Sequence, residues 1–350
     1  MSVVALPSRV AAAWRLRRRR ALLVLWPALA LSLLLALVLG SVELQAQAMA
    51  FSIARAFSGL HDDTLAGIVL GLRLPRALVA AAVGGMLALS GALLQSLLRN
   101  PLADPYVLGV SGGASCAATS AIALGLGATA IALSSAAGAL VALLLLLAIA
   151  RRSLLGRGLE EGEGGGSSVL LGGVMIGSLC FAALGVGLAL APDGALRPIV
   201  FWLLGDLGGS TRLDTASAAL LCWLALYLVA RADARAIDLL QRGELEAFAK
   251  GVNTRAVQRR QVAVSAVATG IAVSLAGAIG FVGFVAPHLV RHRLGSDPRV
   301  VLPVATLLGA CLVVLADTAA RTVAPPLELP VGAVTALLGA PVFLWQLQRR

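Results

Sequence analysis

Apolar residues in this chain come in long uncharged runs separated by short turns rich in arginine, glycine and proline. Residues 21–40 carry no charge, and Arg15, Arg17, Arg18, Arg19 and Arg20 stand just before them. A basic flank ahead of an apolar run of this length predicts a first membrane-spanning helix with its N-terminal side in the cytoplasm. A cleaved leader ending near Ala46-Gln47-Ala48 is the rival reading, but the run exceeds the roughly 7–15 apolar residues of a signal. Residues 41–73 are mixed and polar (Glu43, Arg55, His61, Asp62, Asp63) and read as the first outside segment, with room for a short surface helix. The turn Arg73-Leu74-Pro75-Arg76 then opens a second span, Ala77 to Leu98, with proline tolerated at the first helical turn.

The alternation continues. Arg99 to Pro105 is a turn with two prolines, and the 46 residues from Pro105 to Ala150 are uncharged, enough for two spans with a bend at Gly125 and Gly127. Arg151 to Gly166 reads as a cytoplasmic loop and 167–192 as the fifth span. Pro192 to Asp214 is too broken to cross and is expected at the outer surface; 215–230 makes the sixth span. Arg231 to Arg260 carries seven basic residues and is the long cytoplasmic turn of the second half, with Gly243 to Gly251 a short helix bounded by glycines. Spans seven to ten follow at 261–279, Val282–Val290, Val300–Ala316 (ending near Asp317 and Arg321) and Leu329–Leu347, with Pro325-Pro326 stopping any helix between the last two. Ten spans put both termini on one side. They also put 22 of the 28 Lys+Arg on that side, which agrees with the positive-inside bias.

One stretch breaks the pattern. Between Gly277 and Arg299 an apolar run is interrupted at Gly277, Gly280 and Gly283 and again at Pro287-His288. Irregular backbone at membrane depth is tolerated only where protein buries it or it lines a cavity. Gly67-x-x-x-Gly71, Gly109-x-x-x-Gly113 and Gly173-x-x-x-Gly177 have the spacing that lets helices approach closely.

Composition sharpens this picture. The chain is 59% hydrophobic and 13% charged, against roughly 25% charged for a soluble domain. The net charge of +11 would suit nucleic acid, but the basic residues sit between apolar runs and only two tyrosines are available for stacking. No nucleic-acid partner is expected, and lipid is. Lys250 is the single lysine, between Ala249 and Gly251, so the sequence holds no G-x-x-x-x-G-K-[ST] phosphate loop. Any ATP must be bound by another chain, and this one is expected to bind no cofactor or metal.

Catalytic chemistry has little to work with. The histidines are His61, His288 and His292; the cysteines Cys116, Cys180, Cys222 and Cys311 lie singly in apolar runs. His288 and His292 share a helix face but lack the glutamate of a metalloprotease motif. The spans are nearly free of ionisable residues, which argues against an ion-coupled secondary transporter, the main alternative, and the missing catalytic constellation argues against a membrane enzyme.

Five ordered motifs carry a resemblance: Arg73–Arg76, Ser90–Ala114 (SGALLQSLLRNPLADPYVLGVSGGA), Gly277–Arg291 (GAIGFVGFVAPHLVR), Leu315–Arg321 (LADTAAR) and Leu329–Phe343 (LPVGAVTALLGAPVF). Over residues 65–347 the chain resembles the permease subunits of bacterial ABC importers for iron-siderophore, haem and cobalamin. The resemblance implies an all-α polytopic membrane protein of about ten transmembrane helices, a type II ABC importer permease with residues 1–350 as one transmembrane domain. It implies an inner-membrane complex of two permeases, both copies of this chain, with two ATP-binding subunits inside and one periplasmic or lipid-anchored substrate-binding protein outside. Arg73, Arg76 and Arg321 would face outward and meet acidic residues of the binding protein. The plainer reading is interfacial anchoring, with Asp317–Arg321 an i,i+4 pair. Glu244, Leu245, Glu246, Ala247, Phe248, Lys250 and Gly251 would form the coupling helix that sits in a groove of the ATPase, and Pro287, His288 and Arg291 would be a structural signature. The chain departs from the family at Lys250, where leucine usually precedes the glycine, and at Asp297-Pro298-Arg299, where the middle residue is usually histidine.

Overall fold

The computed structural model describes residues 6–40, 67–155, 164–209, 212–325 and 327–348. The expected outer segment with Glu43, Arg55, His61, Asp62 and Asp63, the Ala46-Gln47-Ala48 site and the middle of the glycine-rich loop lie outside them. Thirteen α-helices and no strand occur among the described residues. They are α1 (Leu6–Val38), α2 (Leu74–Leu97), α3 (Val110–Ala123), α4 (Ala128–Leu155), α5 (Gly164–Leu190), α6 (Asp193–Leu203), α7 (Leu213–Ala232), α8 (Ala234–Arg242), α9 (Glu244–Ala249), α10 (Thr254–Ala276), α11 (Val282–Leu294), α12 (Pro298–Thr322) and α13 (Val331–Gln348).

Ten of these helices fall on the ten expected crossings. Six described helices are long and apolar enough to cross a membrane: α1, α2 with the turn before it, α4, α5, α7 and α12. The other four fall short for separate reasons. At a rise of about 1.5 Å per residue, neither α3 nor α11 alone spans a bilayer core of about 30 Å. Helix α10 begins among Arg255, Arg259 and Arg260, and in α13 the stretch Val331–Pro341 is apolar but short. Helix α6 is the expected non-crossing segment. It is followed by a turn at Gly205, where φ is +87°, and only Ile199 of it is buried.

Helix α2 is the hub. It packs against α12, α10, α7 and α11, and nearly all of its side chains are buried. Where it crosses α12, a Cβ added to Gly84 would lie 2.2 Å from the Gly309 carbonyl oxygen. Where it crosses α11, a Cβ added to Gly91 would lie 1.7 Å from the Gly283 oxygen. Pro287 explains the second contact: it has no N–H to offer Gly283, four residues back, so that carbonyl is free to close on α2. Contrary to expectation, Pro287-His288 does not break the chain; helix α11 runs through it. The interruption is confined to residues 277–281, where Gly277 has φ +65° and Phe281, unusually for a bulky residue, has φ +68°.

The spaced glycines divide. Gly113 meets Gly138 of α4, and Gly109 meets the backbone of Gly173 and Gly177 of α5, so α3, α4 and α5 form a tightly packed trio. Gly67 and Gly71 have nothing within 4 Å of an added Cβ. A small hydroxyl knot completes the α2–α10 seam: the Ser90 Oγ lies 2.6 Å from the Ser265 Oγ and 2.8 Å from the Thr269 Oγ1, and donates to the Ser265 carbonyl at 2.9 Å. All three hydroxyl residues are buried, and bonding to one another removes the cost of leaving them in an apolar interior.

The outward surface is apolar along α4, α5 and α7, where Leu144, Leu171, Leu179, Phe181, Leu190, Leu221 and Leu228 are exposed. A continuous outward belt of this kind is a surface for lipid or for another membrane subunit, not for water.

Candidate functional site

At one end of the bundle three helices, α1, α2 and α12, meet in a buried charge cluster. The sequence reading placed Arg73 and Arg76 in an outer turn ahead of a span beginning at Ala77. The helix starts earlier. Residues 67 and 68 are already helical, and Val69–Arg73 form a π-turn in which the Leu74 N–H reaches the Val69 carbonyl five residues back. That wider turn accommodates Pro75, whose ring would crowd an ordinary α-turn. In the same way α12 runs on to Thr322 and takes Asp317 and Arg321 inside. The three arginines expected to face a partner are therefore buried: Arg73 is 6%, Arg76 8% and Arg321 4% exposed.

Each has partners within the chain. Arg73 Nη1 donates to the Leu37 and Val38 carbonyls at 2.8 and 2.9 Å. These are last-turn carbonyls of α1 with no intrahelical donor, at the helix end that favours a cation. Arg76 donates to Asp317 Oδ1 from Nε at 3.0 Å and from Nη2 at 2.9 Å, and from Nη1 to Glu328 Oε2 at 2.9 Å. Arg321 Nε lies 3.1 Å from Asp317 Oδ2 as an i,i+4 ion pair, the pair noted in the sequence. Its Nη2 reaches the Ala36 carbonyl at 3.5 Å. Asp317, 1% exposed, thus holds two guanidiniums at once. Glu328 was not singled out from the sequence. It lies in the turn between α12 and α13, and proximity to Arg76, 252 residues away, has no local signature.

At the opposite end lie the arginine-rich turns. Helix α8, which the sequence reading missed, buries Ala234, Ile237 and Leu240 and so seats the whole 231–260 segment on the bundle. Its signal was present in an apolar residue every third position. Arg99 donates to the Leu240 carbonyl at 2.9 Å, and Gln241 donates to the Ser96 hydroxyl. Asp233 receives two hydrogen bonds from Arg260, at 2.7 and 2.8 Å. Helix α9 projects beyond this platform. It is bounded by Gly243 (φ +154°) and Gly251 (φ +78°), the two glycines expected at its ends. Ala247 is its buried residue, and Leu245 (70%) and Phe248 (56%) are exposed. Lys250 pairs with Glu246 one turn back, and this hydrogen bond holds the Glu246 carboxyl below its usual range.

Pro287 and His288 are buried within α11, with Arg291 one turn further on. His288 stacks on Phe284, with ring centroids 6.0 Å apart, and Arg291 donates to the Ala92 carbonyl at 2.8 Å. Among the described residues no three His, Cys, Asp or Glu side chains are grouped as they would be around a metal ion. The arrangement holds helices against one another and leaves the exposed apolar side chains of Leu245 and Phe248 at one end.

Comparison with known proteins agrees with this layout. The model of the FecCD transport family matches residues 28–349. The chain is 41% identical over 322 residues to the hemin transport system permease protein HmuU of Yersinia pestis, covering 91% of this chain and 94% of that one. It is 40% identical over 288 residues to the cobalamin import system permease protein BtuC of Halobacterium salinarum, covering 82% and 75%. Its fold matches a solved metal-chelate type ABC transporter in an inward-facing conformation, with TM-score 0.81 and 27% identity, over 95% of this chain and 100% of that one.

Proposed function

Because the chain belongs to the FecCD transport family, we propose that it is the membrane-spanning subunit of an ATP-driven importer whose cargo is an iron chelate, haem or a corrinoid. It is a membrane-embedded permease that works with ATP-binding and substrate-binding partners. Haem leads as cargo, because the match to the haem permease extends over nearly the whole of both chains. The complex is a dimer of this chain in the inner membrane, with both termini and the 231–260 turn in the cytoplasm. The arginine bias of that face supports the orientation.

The observation that carries the ATP-driven reading is helix α9. A chain with no phosphate loop must receive the energy of hydrolysis mechanically. That takes a short stiff element, fixed to the transmembrane helices and offering a partner something to grip. Helix α9 is pinned through α8 and α10, stopped at both ends by glycine, and presents Leu245 and Phe248 one turn apart. An amphipathic helix in an apolar groove is an established recognition mode. Lys250, the departure from the family pattern, closes an ion pair with Glu246 and stiffens the same element.

Replacing both Leu245 and Phe248 by aspartate should leave the permease folded, since both side chains are exposed. It should lower ATP-dependent uptake by the reconstituted complex by at least about tenfold, the loss expected when the apolar anchors of an interface are removed. Unchanged uptake by that variant would overturn the coupling role of α9.

A further inference from the structure

We propose that Glu328 is a displaceable partner of Arg76, occupying the outward edge of its guanidinium until a carboxylate of the docking substrate-binding protein takes its place. The inference rests on the reading above that such a protein docks at this end. It differs from simple docking on exposed arginines, which the burial of all three excludes in this structure.

The argument starts from unequal partners. Arg76 directs Nε and Nη2 inward to Asp317, which is 1% exposed, fixed within α12 and shared with Arg321. It directs Nη1 to Glu328, whose side chain is 39% exposed. Glu328 lies outside any helix, in a turn held by the Leu327 N–H to Ala324 and the Leu329 N–H to Ala320 hydrogen bonds. Val323 and Leu327 beside it are also exposed. Arg73 is committed to the α1 carbonyls and Arg321 to Asp317. Of the pairs that Arg76 and Arg321 make with Asp317 and Glu328, only Arg76–Glu328 has a water-accessible member. A half-exposed ion pair contributes little to stability because water and salt screen it, so exchanging one carboxylate for another there is nearly neutral for the permease.

The charge balance favours the exchange. Around Asp317, two guanidiniums (Arg76, Arg321) meet two carboxylates (Asp317, Glu328), so with Glu328 in place these four charges balance. When Glu328 swings outward one positive charge is left uncompensated at Arg76, and an incoming carboxylate meets a donor already oriented by Asp317. Guanidinium recognises a carboxylate through directed N–H groups, so the class of group recognised is an aspartate or glutamate side chain on the partner.

The test measures affinity of the detergent-solubilised transporter complex for its purified substrate-binding protein, with two variants. Glu328→Gln removes the competing charge, and Glu328→Asp keeps the charge but shortens its reach by one methylene. Both should tighten association by about three- to fivefold at low salt, the size expected for losing one half-exposed pair. Unchanged or weaker binding by Glu328→Asp would overturn the exchange, because tightening by Glu328→Gln alone reflects only long-range repulsion. The docking reading is tested separately on the unaltered protein. If its affinity for the binding protein does not fall as salt is raised, charge-guided docking at this end fails, whatever the variants do.

Discussion

Replacing Asp317 by alanine is expected to remove most of the folded permease from the membrane. Asp317 is 1% exposed and lies against the guanidiniums of both Arg76 and Arg321. Without it, Arg321 loses its carboxylate in a protein interior, and Arg76 is left with the half-exposed Glu328. Removing one member of a buried ion pair costs about 3–5 kcal/mol, because the other charge is left uncompensated. That is a large part of a typical stability of about 5–15 kcal/mol. The loss should be read as a fall in the monodisperse fraction after detergent extraction and a lower melting temperature. Adding Arg321→Gln to Asp317→Asn should recover part of it, since the second change removes one of the stranded charges. Equal folded yields for the wild type and the Asp317 single variants would contradict the role given to this cluster.

A second large effect is expected at the α2–α11 crossing. A Cβ on Gly91 would lie 1.7 Å from the Gly283 oxygen, which belongs to the backbone and cannot rotate away. Overpacking of a close-packed interior costs about 1–3 kcal/mol and more where the neighbour is rigid. Gly91→Ala should therefore lower the melting temperature measurably, and Gly91→Val should abolish folded yield. Gly71→Ala is the control. Nothing lies within 4 Å of its added Cβ, and alanine is the better helix former. It should be neutral or slightly stabilising. Similar losses at both positions would show that glycine matters at these sites for a reason other than helix approach.

The parts of the fold visible in the sequence were those with a local cause. Uncharged runs marked the crossings because charge is costly in lipid. Gly125 marked the bend between α3 and α4, where φ is +70°, and Gly243 and Gly251 marked the ends of α9. Helix ends were less visible. Arginine looked like the boundary of a span, yet α2 and α12 each continue through theirs, because Asp317 of α12 neutralises both Arg76 of α2 and Arg321 of its own helix inside the protein. Such pairing across 241 residues is a property of packing, and no window along the chain contains it. Pro287 misled for a related reason. Its missing hydrogen bond would weaken an isolated helix, but here the freed Gly283 carbonyl has α2 against it. Helix α8 was overlooked because its polar composition concealed the apolar face of Ala234, Ile237 and Leu240.

The most direct test of the transport claim uses proteoliposomes containing this chain, its ATP-binding subunits and, outside, the binding protein. Haem, cobalamin and a ferric siderophore are offered in turn. Accumulation of one of them that requires ATP hydrolysis and survives collapse of proton and sodium gradients is the expected result. Accumulation by this chain alone, without nucleotide and abolished by dissipating an ion gradient, would contradict it.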